Sequence, residues 1–187
     1  MIQRIGKIFS MLVGDARNNS MEHRIFNTMS LFFGVANIGG ALNFLMQPLL
    51  FGVHIASGLI FLAFYYLSRF RSYYWSLYWP FVFLILIFLV ISSAQDAGSR
   101  GGTHYYFIMA AVVSTVLARR LSQAVLAFGI FALFSAALFY IEMNMNEYVK
   151  PFEGTEDERL IALGTQFITV QIFTAILVEI LARNLNT

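Results

Sequence analysis

The 187 residues are 59% hydrophobic and 17% aromatic, only 12% are charged, and the net charge is +2. Soluble domains carry about twice that share of charge, and a globule of this composition would expose apolar patches that soluble monomers avoid. There is no cysteine, which excludes a disulfide scaffold, thiolate metal sites and a cysteine nucleophile; the small net charge gives no reason to expect a nucleic-acid partner.

A helix needs about 20 mostly apolar residues to cross the roughly 30 Å hydrocarbon core. In chain order, six segments meet or approach that length: Ile25–Leu45, Leu49–Leu67, Trp75–Ile91, Tyr105–Ala118, Leu121–Ile141 and Leu160–Ala182. The expected fold class is all-α, a polytopic bundle of six transmembrane helices in one domain. Ahead of it, residues 1–18 read as an interfacial segment, since Ile2, Ile5, Phe9 and Leu12 recur at helical spacing between Arg4 and Lys7. Asn19 stands three residues before Glu22, the spacing of a capping box for the first span. Residues 19–182 make the bundle, and 183–187 begin a stalk.

The first span holds Asn37 and Asn43 among Gly34, Ala36, Gly39, Gly40 and Ala41. The Ala36–Gly40 pair has small-xxx-small spacing, so the Gly34–Ala41 surface is expected to pack on another helix. The third span opens in an aromatic cluster (Tyr73, Tyr74, Trp75, Tyr78, Trp79) that suits a membrane interface, and Pro80 follows early enough for a helix to tolerate its missing donor. In the last span, Gln166 and Thr169 are one turn apart, and Glu179 precedes Arg183 by four residues, a pairing distance on a helix.

Orientation follows from Lys and Arg placement. Of the 12 basic residues, Arg4, Lys7, Arg17, Arg24, Arg69, Arg71, Arg119, Arg120 and Arg183 fall on one side of the six spans. Arg100, Lys150 and Arg159 fall on the other. The richer side is cytoplasmic by rule, so both termini are expected there.

On the opposite side, polar groups converge at one depth. Asn43 ends the first span, His54 lies near the start of the second, and Asp96, Arg100 and His104 lead into the fourth. Gln166 is about a turn and a half into the sixth. Binding sites are apolar clefts with a few convergent polar groups, so these six residues form the candidate ligand site. Tyr105 and Tyr106 supply a wall, and the Arg100 guanidinium suits a carboxylate or an anionic headgroup. No catalytic motif, metal site or cofactor site is expected. Alternative readings are a haem held between His54 and His104 and a small transporter or permease, although the chain lacks an inverted repeat and has almost no intramembrane charge.

Three stretches carry a resemblance: Glu22-His23-Arg24-Ile25-Phe26-Asn27, Tyr65-Tyr66-Leu67-Ser68-Arg69-Phe70, and Asp96-Ala97-Gly98-Ser99-Arg100-Gly101-Gly102-Thr103 before Tyr105-Tyr106-Phe107. Together they resemble the multi-pass N-terminal sensor regions of bacterial signalling proteins, with Asp96 standing where that family has Asn and Gly102 where it has Pro. Such regions are similar to those that head histidine kinases, and related ones precede nucleotide or diguanylate cyclases and serine phosphatases. The resemblance implies a sensor or anchor in the bacterial inner membrane, a small-molecule or lipid ligand, a homodimer, and a cytoplasmic effector domain following Thr187. The last span runs to the final residues without a Gly or Pro terminator, as expected of a helix feeding a stalk.

Overall fold

A computed structural model describes residues 11–15, 18–95, 98, 101–144 and 155–185. Every regular element among them is helical: α1 (Met21–Ala41), a single 3₁₀ turn (Leu42–Phe44), α2 (Pro48–Arg71), α3 (Tyr74–Gln95), α4 (Thr103–Leu117), α5 (Leu121–Asn144) and α6 (Glu156–Leu185). Residues 11–13 are helical too. By length and composition α2, α3 and α5 can each cross a membrane. α4 is apolar but has only 15 residues, and α1 is diluted by Gly, Asn, Ser and Thr. Only 22%, 33% and 17% of the apolar windows of α2, α3 and α5 is buried. Leu59, Phe83, Ile87, Val125, Leu126 and Leu133 are among the large apolar side chains left exposed. A surface of that kind belongs in lipid rather than water.

The helix ends differ from the sequence reading in instructive ways. α1 starts at Met21, because Ser20 and not Asn19 is its cap: the Ser20 hydroxyl accepts from the His23 N–H at 3.3 Å. Asn19 instead donates from Nδ2 to the Asp15 carbonyl at 3.2 Å. Ser20 sits three residues before the N–H it receives, the spacing that capping requires; Asn19 is one residue out of phase. α3 starts at Tyr74, which puts Pro80 seventh in the helix. That is beyond the first turn, so the ring removes the N–H that would bond the Ser76 carbonyl. At the start of α6, Thr155 and Glu158 form a reciprocal capping box: the Thr155 N–H donates to Glu158 Oε2 at 2.8 Å, and the Glu158 N–H donates to Thr155 Oγ1 at 3.2 Å. Those bonds from Thr155 hold the Glu158 carboxyl below the usual range. Arg159 pairs with Glu156 beside it.

The chain divides into two compact units, Met1–Leu84 and Ile85–Thr187. In the first, α1 and α2 form an antiparallel hairpin closed by the 3₁₀ turn. The helices meet closest at Gly34 and Gly58. A Cβ on Gly58 would lie 3.1 Å from the Gly34 carbonyl oxygen and 3.2 Å from the Ile38 nitrogen. Gly34, Asn37 and Ala41, at i, i+3 and i+7, are buried. Ala36 is exposed, while Gly40 is half-buried beside His54 of α2, so of the expected Ala36–Gly40 pair only Gly40 borders the neighbouring helix. Helical spacing alone does not reveal which of two small-residue stripes faces the neighbour. Below the crossing, Phe33, Phe61, Phe81 and Phe26 stack in sequence, with ring centroids 5.4 Å, 5.6 Å and 4.8 Å apart.

In the second unit α4 packs on α5 through Phe107 and Phe131, 6.5 Å between rings. α5 buries only the narrow stripe Ala124, Ala127 and Phe131. Phe173 and Leu177 of α6 are buried one turn apart.

Candidate functional site

Of the six residues expected to converge, Asp96 and Arg100 lie outside the described residues, as does the side chain of Asn43 in the 3₁₀ turn. His54 belongs to the first unit. Its ring stacks on Phe44 at 4.8 Å with an interplanar angle of 22°, beside Gly40, whose added Cβ would stand 3.6 Å from His54 Nδ1. His104 and Gln166 belong to the second unit. The Gln166 amide lies where a Cβ on Gly102 would be, so a side chain there would displace it. His104 packs on Tyr105 at 4.1 Å, and Tyr105 on Phe167 at 5.5 Å. Gln166 is thus brought to the mouth of α4, next to the residues that precede His104. The Thr169 hydroxyl, one turn on, donates to the Thr165 carbonyl of its own helix at 2.8 Å.

Mid-span polar residues of the hairpin serve packing. Asn37 Nδ2 donates to the Phe33 carbonyl at 2.8 Å, and Asn37 Oδ1 lies 3.4 Å from Ser57 Oγ. Ser57 is also close to the Val53 carbonyl of its own helix. A hydroxyl has one proton, and the shorter contact claims it.

The densest buried polar chemistry is at the other end of the hairpin, where α1 begins and α2 ends. Asn27 is fully buried, and both ends of its amide are used. Oδ1 accepts from Ser68 Oγ at 2.6 Å, and Nδ2 donates to the Val13 carbonyl at 2.8 Å. One turn earlier, His23 Nε2 donates to the Ser68 carbonyl at 3.0 Å. The same carbonyl accepts from the Ser72 N–H at 3.1 Å, so both its lone pairs are engaged. Ser72 itself takes a left-handed conformation, φ 56°, which turns the chain back at the end of α2 so that the Tyr73 N–H reaches the Leu67 carbonyl at 3.3 Å. The other face of the imidazole is covered by Tyr74, the first residue of α3, stacked at 5.1 Å and 8°. Burial pushes the His23 pKa below its ordinary value; the bond to the Ser68 carbonyl opposes that shift, and the charge of Arg69 adds to it. The Nε2–H of His23 is thus directed at a backbone oxygen.

Two more donors face the same way. Tyr65 donates its hydroxyl to the Leu12 carbonyl at 2.7 Å, and Arg69 Nη2 donates to the Met11 carbonyl at 3.0 Å. Arg69 also lies over the Phe70 ring, 5.6 Å from its centroid. The stretches 22–27 and 65–70, which carry two thirds of the resemblance by motif, thus meet in one network. Composition and polar placement in the sequence point instead to the middle and the opposite end of the spans. The signal available was the i, i+4 pair His23 and Asn27, polar residues leading into an apolar run.

Among the described residues no group of three or more His, Asp or Glu side chains is placed to hold a metal ion. No model of a known protein family, no characterised protein and no solved structure matches this chain.

Proposed function

We propose that the chain is the membrane-embedded sensor or anchor module of a bacterial signal-transduction protein. In this reading it sits in the inner membrane, crosses six times with both ends cytoplasmic, and works as a homodimer. It passes an extracytoplasmic or intramembrane signal down α6 to a cytoplasmic effector, a histidine kinase first and a nucleotide or diguanylate cyclase second. The observation that carries the reading is the meeting of residues 22–27 with 65–70. Two short stretches that resemble the same family are each other's packing partners, which gives their joint occurrence a physical reason.

The dimensions of α6 support the same reading. Its 30 residues make a rod of about 45 Å at 1.5 Å per residue, against a hydrocarbon core of roughly 30 Å. Glu156, Asp157, Glu158 and Arg159 sit in water at one end, so the apolar length begins at Leu160 and the far end emerges on the opposite side. A helix that leaves the bilayer unbroken can carry a rotation or a small shift to whatever it joins.

The test is a phase scan. The chain is fused through Thr187 to a dimeric histidine kinase domain, with zero to four alanines inserted at the junction, and autophosphorylation is measured in membrane vesicles. Each residue turns a helix by about 100°. Kinase output is expected to swing several-fold over insertions of one to three residues and to return near the starting level at four. Output that is flat across the series would remove signal transmission through α6.

A further inference from the structure

We propose that the start of α1 and the end of α2 form a clasp for the chain's own N-terminal segment, with a closed state seen here and an open state in which residues 11–15 leave. The inference does not depend on the sensor reading. Its ground is that three consecutive carbonyls, Met11, Leu12 and Val13, are each received by a different side chain: Arg69 at 3.0 Å, Tyr65 at 2.7 Å and Asn27 at 2.8 Å. The last carbonyls of a helix have no partner within it and carry its partial negative charge. Here a guanidinium, a phenol and an amide take them one by one. The helical turn ends at Gly14, whose φ of 115° suits glycine. A Cβ there would also stand 2.8 Å from Asn19 Nδ2. The segment is therefore cut to length for the site that holds it.

The three bonds are unequal, and that makes the arrangement a latch rather than ordinary packing. Those from Tyr65 and Arg69 are exposed, so water can replace either carbonyl at small cost. The bond from Asn27 is buried, and Val13 beside it is only 3% exposed. Opening would uncover Asn27 and, through it, Ser68 and the carbonyl that fixes His23. The state of the segment is thereby coupled to the first turn of α1, the last turn of α2 and Tyr74 at the head of α3.

The absence of native cysteine makes a direct test clean. Val13→Cys places a thiol in the closed clasp, Leu12→Cys an accessible one, and Ser30→Cys one buried within the hairpin beyond it. Each variant of the full chain is purified in detergent, so that both faces are accessible, and reacted with a water-soluble maleimide. In the parent background Val13→Cys is expected to react at least ten-fold more slowly than Leu12→Cys. Adding Tyr65→Phe and Arg69→Gln is expected to raise the Val13→Cys rate at least ten-fold while Ser30→Cys stays protected; Tyr65→Phe alone, which removes one hydroxyl, gives a smaller rise in the same direction. Three results would each overturn the clasp. These are equal rates at Val13→Cys and Leu12→Cys in the parent, a Val13→Cys rate unmoved by the two substitutions, and exposure of Ser30→Cys together with Val13→Cys, which would mean that Tyr65 and Arg69 hold the hairpin itself.

Discussion

Gly58→Ala is expected to destabilise the protein by about 1–3 kcal/mol, the usual cost of overpacking a close contact. The added methyl carbon would stand 2.7 Å from Ile38 Cγ1, 3.1 Å from the Gly34 carbonyl oxygen and 3.2 Å from the Ile38 nitrogen. The first neighbour is a side chain and can turn aside. The other two are backbone, so α1 and α2 must separate. Gly39→Ala makes the control, since nothing lies within 4 Å of a Cβ there. In a helix interior that change alone gains roughly 0.5–1 kcal/mol. Thermal unfolding in detergent should therefore move in opposite directions for the two variants. A parent-like or higher midpoint for Gly58→Ala would mean the hairpin does not cross at this residue.

Asn27→Ala is expected to cost about 2–4 kcal/mol. A buried polar group stripped of its partner costs about 1–3 kcal/mol, and the change strips the Val13 carbonyl and leaves a small void besides. Ser68 is better placed, because a helical serine can turn its hydroxyl to the carbonyl four residues back. The two residues share one hydrogen bond of 2.6 Å, so their effects should not add. The cost of Asn27→Ala combined with Ser68→Ala should fall short of the two single costs by about 0.5–3 kcal/mol, the range found for contacting residues. Additive costs would show that the bond contributes nothing on its own.

How much of this was legible before the structure depends on the range over which each feature is decided. The helices are local matters of composition, and each of the six apolar segments lies largely within a helix, from α1 at Met21–Ala41 to α6 at Glu156–Leu185. Their ends were legible only to within a few residues, since Ser20 and Asn19 are both good caps and the choice rests on which one reaches an N–H. The crossing of α1 and α2 was half legible. Glycine and alanine marked the right stretch of α1, but Gly34 was separated from Ala36 and Gly40 only by what stands opposite it, Gly58 and Leu62. The polar network was beyond a local reading. Asn27 meets Ser68 across 41 residues and Val13 across 14, and no periodicity links those positions.

The central claim is a membrane module whose clasp end faces the cytoplasm, and the sidedness of the loops tests it most directly. Dual reporters, one active only in the cytoplasm and one only outside it, are fused after Ser72, Asp96, Arg120 and Thr155. The account predicts cytoplasmic readings after Ser72 and Arg120 and extracytoplasmic readings after Asp96 and Thr155. The reversed pattern, or the same side for Ser72 and Asp96, would contradict it, because Asn27, Ser68 and the N-terminal segment they hold would then lie away from any cytoplasmic effector.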